Sequence, residues 1–187
     1  MNRMRIVFAL FLSLVFFQAA VYAESSRFEK ALPGYNYAFP RDHGSHPDYL
    51  IEWWYFTGNL NSKSGAPYGY ELTFFRRGIE NKEAEQNPSR WTVKDIYLAH
   101  FAVTDINGKA FYYDEKISRE AIGKAGAKEE HLQVWIDRWS AIQDGDTMRL
   151  FAGDEEWKLD LILKPLKPLV IQGETKKKKK GEAEGAA

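Results

Sequence analysis

Ile51-Glu52-Trp53-Trp54-Tyr55-Phe56-Thr57-Gly58-Asn59-Leu60, the polar segment Asn61-Ser62-Lys63-Ser64-Gly65, and then Tyr68-Gly69-Tyr70-Glu71-Leu72-Thr73-Phe74-Phe75-Arg76 form the stretch on which the fold turns. Aromatic residues dominate both runs, and turn-forming residues separate them, so they read as two strands of a hairpin. Outward from it the pattern repeats. A polar loop from Asn81 to Arg90 leads to a strand over Trp91–Thr104; Asn107-Gly108 then reads as a tight turn with positive φ at both central positions, into Phe111–Ile117. Three further strands are expected over Leu132–Ser140, Thr147–Ala152 and Trp157–Leu163, with turns at Asp144-Gly145 and Gly153-Asp154. Between Ser118 and Glu130 the residues allow either a short helix or an irregular loop. The fold class is therefore all-β, an antiparallel meander that hides its edges by closing into a barrel or folding into a sandwich.

The ends have a different character. Arg3 and Arg5 precede an uncharged apolar run, Ile6 to Phe17, and Val21-Tyr22-Ala23 supplies small residues before a cut. A membrane helix needs roughly 20 apolar residues, and this run stops at Gln18, so residues 1–23 read as a signal cleaved near Ala23. An uncleaved anchor is the other reading. The protein is expected in the periplasm or secreted. Residues 24–173 then form one β domain, and residues 174–187, with Lys176 to Lys180, a disordered Lys-rich tail. That tail is a solvated end, a polybasic patch that admits membrane contact without requiring it, or the product of a frame lost in adenine-rich lysine codons. Resequencing the gene tests the last.

Composition narrows the function. Lys and Arg number 26 against 26 Asp and Glu, which argues against nucleic acid as a partner. With no cysteine, disulfides and cysteine-linked lipid are both excluded, and the exported fold must rest on its aromatic core. Export also removes free nucleotide cofactors, and no cofactor is expected. No Gly-x-Ser-x-Gly elbow supports acyl hydrolysis.

The densest polar cluster is Phe39-Pro40-Arg41-Asp42-His43-Gly44-Ser45-His46-Pro47-Asp48, running into the first strand. His43 and His46 follow no standard ligand spacing, so no metal is expected. Strand alternation sets Glu52, Trp54 and Phe56 on one face and Trp53, Tyr55 and Thr57 on the other. Glu52 has two readings: a desolvated acid whose pKa rises until it can donate a proton, or an ion pair with an arginine such as Arg76. His100, sharing a face with Leu98 and Ala102, is expected to be buried or to line a cavity, either as a hydrogen-bonded core residue or as an acid, base or water positioner. A cavity walled by Trp53, Trp54, Tyr55, Tyr70, Phe75 and Trp135 would suit an apolar small molecule, and ring faces there could steady a developing carbocation. A well-filled aromatic core is the plainer account. Trp135, Asp137 and Trp139 are expected on one face.

The blocks Phe39-Pro40-Arg41-Asp42-His43, Glu52 to Leu60, Leu72-Thr73-Phe74-Phe75-Arg76 and Ala99-His100-Phe101-Ala102-Val103-Thr104-Asp105 resemble the family of secreted hydrolase-like proteins that includes carotenoid 1,2-hydratases, also called AttH-like or lipocalin-like. The resemblance runs from Tyr37 to Gly173. It implies two lipocalin-like β domains in tandem, of which this chain supplies the first, with a second domain encoded separately if present at all. It also implies water addition to an isoprenoid double bond, a reaction in which Glu52 or His100, read from their strand positions, would deliver the proton or orient the water. A non-catalytic carrier of an apolar ligand and an inactive relic of a two-domain enzyme are the rival readings.

Overall fold

The expected hairpin is β1 (Ile51–Asn61) and β2 (Pro67–Gly78), paired antiparallel with Glu52 opposite Arg76 and Trp54 opposite Phe74. The computed structural model describes residues 27–80, 89, 91–120 and 122–171; the signal segment, the Lys-rich tail and most of the 81–90 loop lie outside the described residues. Two further long strands, β3 (Asp95–Asp105) and β4 (Ala110–Arg119), complete a four-stranded sheet in the order β1-β2-β3-β4. A second sheet runs β5 (Ala125–Ala127), β6 (Gln133–Ile136), β7 (Trp139–Asp144), β8 (Thr147–Gly153) and β9 (Lys158–Leu163), also in chain order. No ladder joins the sheets among the described residues, so the barrel alternative gives way to a two-sheet antiparallel sandwich.

Period-two alternation explains what lies between the sheets. Trp54, Tyr70, Leu72, Phe74, Tyr97, Ala99 and Phe101 project inward from the first sheet and meet Val134, Ile136, Trp139, Ala141, Leu150 and Ala152 from the second. Most of these are fully buried, and burying each large side chain contributes roughly 1.5–3 kcal/mol. Trp139 anchors the far layer: its Nε1 donates to the Gly153 carbonyl at 2.9 Å, its ring lies edge-on to Phe101, and Lys116 covers its face. The interior is thus filled with side chains, not hollow.

Several boundaries differ from the sequence reading, each for a local reason. The expected strand Leu132–Ser140 is two strands, because Asp137 takes a left-handed φ of 52° and Asp137-Arg138 become a hairpin turn. The break sends Trp135 outward and Trp139 inward, so the expected shared face is lost. The β3–β4 connection is four residues, Ile106 to Lys109. The Asp105 carboxylate accepts the Gly108 N–H at 2.8 Å and winds a right-handed turn, which leaves the positive φ to Lys109. The strand expected from Trp91 begins at Asp95, and the 118–130 stretch carries the end of β4 and the short β5, with no helix among its described residues.

Candidate functional site

The cluster before β1 folds into a single 3-10 turn, Arg41–His43, and a loop that closes over one end of the first sheet. Ser45 N–H donates to the Lys128 carbonyl at 2.7 Å, fastening that loop to the residue that follows β5. Gly44 makes the approach feasible, since a Cβ there would stand 2.5 Å from the Glu129 carbonyl oxygen. Trp54 adds a further tie, its Nε1 donating to the His43 carbonyl at 3.0 Å.

Beneath the loop lies a chain of charges. His46 stands between two carboxylates, with Nδ1 at 2.6 Å from Glu52 and Nε2 at 3.2 Å from Asp42. Glu52 also accepts from Ser45 Oγ, from the His46 backbone N–H and, at 3.3 Å, from Arg76 Nε. Arg76 is only 1% exposed, and its guanidinium spends its remaining donors on Asp95 at 2.8 Å and on the carbonyls of His46 and Tyr49. A buried cation is tolerated where it is paired and hydrogen-bonded, and here each of the three guanidinium nitrogens donates to at least one acceptor. Asp42, whose side chain is 1% exposed, accepts from Tyr35, from the Ala38 N–H and from Arg41. Burial pushes its carboxyl up, but the hydrogen bonds from Ala38, Arg41, His46 and Tyr35 outweigh this and hold it down at about 2. Burial also lowers the His43 imidazole.

Of the two readings of Glu52, the ion pair with Arg76 is present, and Ser45 and His46 bond to the same carboxyl group. The shallow pocket beside it, about 230 Å³, is lined by Asp42, His46, Glu52, Trp53, Trp54 and Phe56, a mixed polar and aromatic recess.

The other candidates separate. Trp54 and Tyr70 belong to the packed core, and burial raises the Tyr70 hydroxyl. Trp135 stands on the outer side of the second sheet, with Nε1 donating to the Gly123 carbonyl at 3.0 Å. Trp53, Tyr55, Phe75 and His100 all project from the outer face of the first sheet, Trp53 with 61% of its surface exposed. His100 was expected to be buried or to line a cavity; its side chain is 44% exposed, because Tyr97, Ala99 and Phe101 take the inward positions of β3, and it borders a depression on the outer face. Its ring meets Phe75 edge-on at 5.4 Å, and its Nε2 lies 3.9 Å from Glu115. Of the two accounts of these rings, an aromatic-walled cavity or a filled core, the filled core holds for Trp54 and Tyr70, and the others stand on outer faces.

That face also carries residues the sequence reading did not single out: Ile51, Ile117, Tyr113 and Phe111, the last two stacked with centroids 6.2 Å apart. A depression of about 380 Å³ runs among His100, Phe111, Tyr113 and Glu115. The available signal was the alternation of β4, where Phe111, Tyr113, Glu115 and Ile117 share one side. Among the described residues no group of three or more His, Cys, Asp and Glu is arranged to hold a metal ion.

Comparison with known proteins fits this architecture. The model of the family described as AttH-like matches residues 30–187. The crystal structure of a candidate AttH protein from Nitrosomonas europaea superposes with a TM-score of 0.66 at 33% identity, over 79% of this chain and 43% of that one. The chain thus spans less than half the length of that relative. No curated protein matches the sequence. The match over most of its length places this chain in the AttH-like family.

Proposed function

We propose that the protein is exported and binds an elongated apolar molecule, of isoprenoid or lipid type, against the outer face of its first sheet. One observation carries the reading. An antiparallel sheet with one solvated face alternates apolar-in and polar-out, yet the row Trp53-Phe75-Leu98-Ile117 crosses all four strands on the solvent side. Tyr55, Tyr113 and Phe111 extend it, and Ile117 and Tyr113 are 72% and 75% exposed. Exposed patches of this kind mark ligand or partner surfaces. The basic start, the apolar run to Phe17 and the small residues before Glu24 support export.

Carriage is the activity these residues favour. Hydration is the second reading, and His100 favours it: the imidazole is open to solvent in the middle of the aromatic rows, with the Glu115 carboxylate 3.9 Å away. In that reaction His100 would protonate one carbon of a double bond, water would add to the other, and the water's proton would return to the ring. Glu52 takes no part.

Titration with a fluorescent polyene or a long-chain fatty acid, read by tryptophan quenching, tests the proposal. Saturable binding lost in Trp53→Ala and Ile117→Ser is expected; unchanged quenching in both variants would overturn it. Mass analysis for a product heavier by one water, absent in His100→Ala, separates hydration from carriage.

A further inference from the structure

The outer face of the first sheet is a grid, and its charges are sorted along the strands. From one end the rows are Ile51-Arg77-Ile96-Arg119, then Trp53-Phe75-Leu98-Ile117, then Tyr55-Thr73-His100-Glu115, then Thr57-Glu71-Ala102-Tyr113. Two arginines stand at one end, Glu71 and Glu115 stand two to three rows away, and the uncharged row lies between. Thr73 Oγ1 donates to Glu71 at 3.2 Å, and the Arg119 guanidinium lies over the Trp91 ring at 5.7 Å.

From this arrangement we infer that the face pairs with the same face of a second copy of the chain. The two simplest two-fold axes between the sheets run along the strands and across them. Along the strands, each row meets itself, arginine row against arginine row. Across the strands, between the Trp53 row and the Tyr55 row, the rows exchange. Arg77 then falls over the second copy's Glu71, and Arg119 over its Tyr113 beside its Glu115, while Trp53 meets Tyr55. Of these two the second is complementary in charge at Arg77 and Glu71; it places Trp53 on Tyr55 and a guanidinium on a phenol face, and sets Ile117 against the second copy's Glu115. Rows are about 7 Å apart and strands about 4.8 Å, so the face offers on the order of 600 Å² per copy. That falls short of the roughly 800 Å² a standard interface buries per partner, so a reversible dimer is expected.

The inference goes beyond the proposed function and does not need a ligand. It is tested without one. Sedimentation equilibrium of the purified protein at roughly 1–100 µM should give a mass approaching twice that of one chain, falling toward one as salt rises and screens the charges. Glu71→Arg with Glu115→Arg makes the face wholly basic, and Arg77→Glu with Arg119→Glu makes it wholly acidic. Each variant, folded by circular dichroism, should sediment as a monomer, and an equal mixture of the two should recover the dimer. A wild-type monomer throughout, dimers in either variant alone, or a mixture that stays monomeric would each overturn the pairing. A monomer that still quenches with the polyene rejects the pairing alone, and a dimer that takes no polyene rejects the ligand reading alone.

Discussion

Arg76 and Glu52 face each other across the β1–β2 pair, Nε to Oε2 at 3.3 Å, with the guanidinium 1% exposed and the carboxylate side chain 13% exposed. The same arginine reaches Asp95 on β3 and two carbonyls of the loop before β1, so one side chain ties three segments of chain together. Removing it leaves the Glu52 and Asp95 carboxylates without the cation they share. Arg76→Met is expected to destabilise by about 3–5 kcal/mol, read as a lower midpoint in urea unfolding with unchanged slope. Glu52→Gln keeps the shape and several hydrogen bonds, so a loss of about 1–3 kcal/mol is expected with ligand binding intact. A Glu52→Gln protein of full stability that no longer turned over substrate would restore the catalytic reading of this carboxylate.

Asp42 ties stability to acid pH. Its folded pKa of about 2 lies below the ordinary 3.8, so its bonds stabilise the fold fully above the higher value, and this stabilisation is lost as pH falls from the one to the other. Unfolding midpoints measured across that window should decline, and Asp42→Asn, which cannot titrate, should flatten that part of the slope while lowering stability at neutral pH.

The two adjacent tryptophans should behave oppositely. Trp54 is in the core and donates to His43, so Trp54→Ala is expected to cost about 3–5 kcal/mol. Trp53 is on the open face, and Trp53→Ala is expected to change stability by less than about 1 kcal/mol while weakening apolar ligand binding at least about tenfold. Thermal melts paired with quenching titrations on both variants give the comparison.

Asp137 holds a φ of 52° in the two-residue turn between Ile136 and Trp139. Glycine adopts this backbone without a Cβ clash and a β-branched residue does not, so Asp137→Gly should be neutral to stabilising and Asp137→Val should cost about 1–2 kcal/mol. Equal melting temperatures for the two variants would show that the turn carries no strain.

The β class was legible because aromatic runs and turn residues alternate at short range, and so were the hairpin β1–β2 and the faces of Glu52, Trp53, Trp54 and Tyr55, since alternation is a local rule. The break at Asp137 was missed: Asp visits the left-handed region more readily than most residues, but Asp137-Arg138 also fits one continuous strand, with one polar residue on each face. It cost the reading of Trp135 and Trp139 together.

What the amino-acid order determined by itself was the set of strands and which residues share a side of each. Which side faces inward was decided only when two sheets met. Alternation is symmetric between faces, and in β2 and β3 both sides carry apolar residues, so the choice fell to packing. Tyr97, Ala99 and Phe101 fill the gap opposite Trp139 and Leu150, and His100 is turned out to the aromatic face. The same packing filled the core and brought Arg76 under the His46 loop, a contact between residues 30 positions apart that no local pattern encodes.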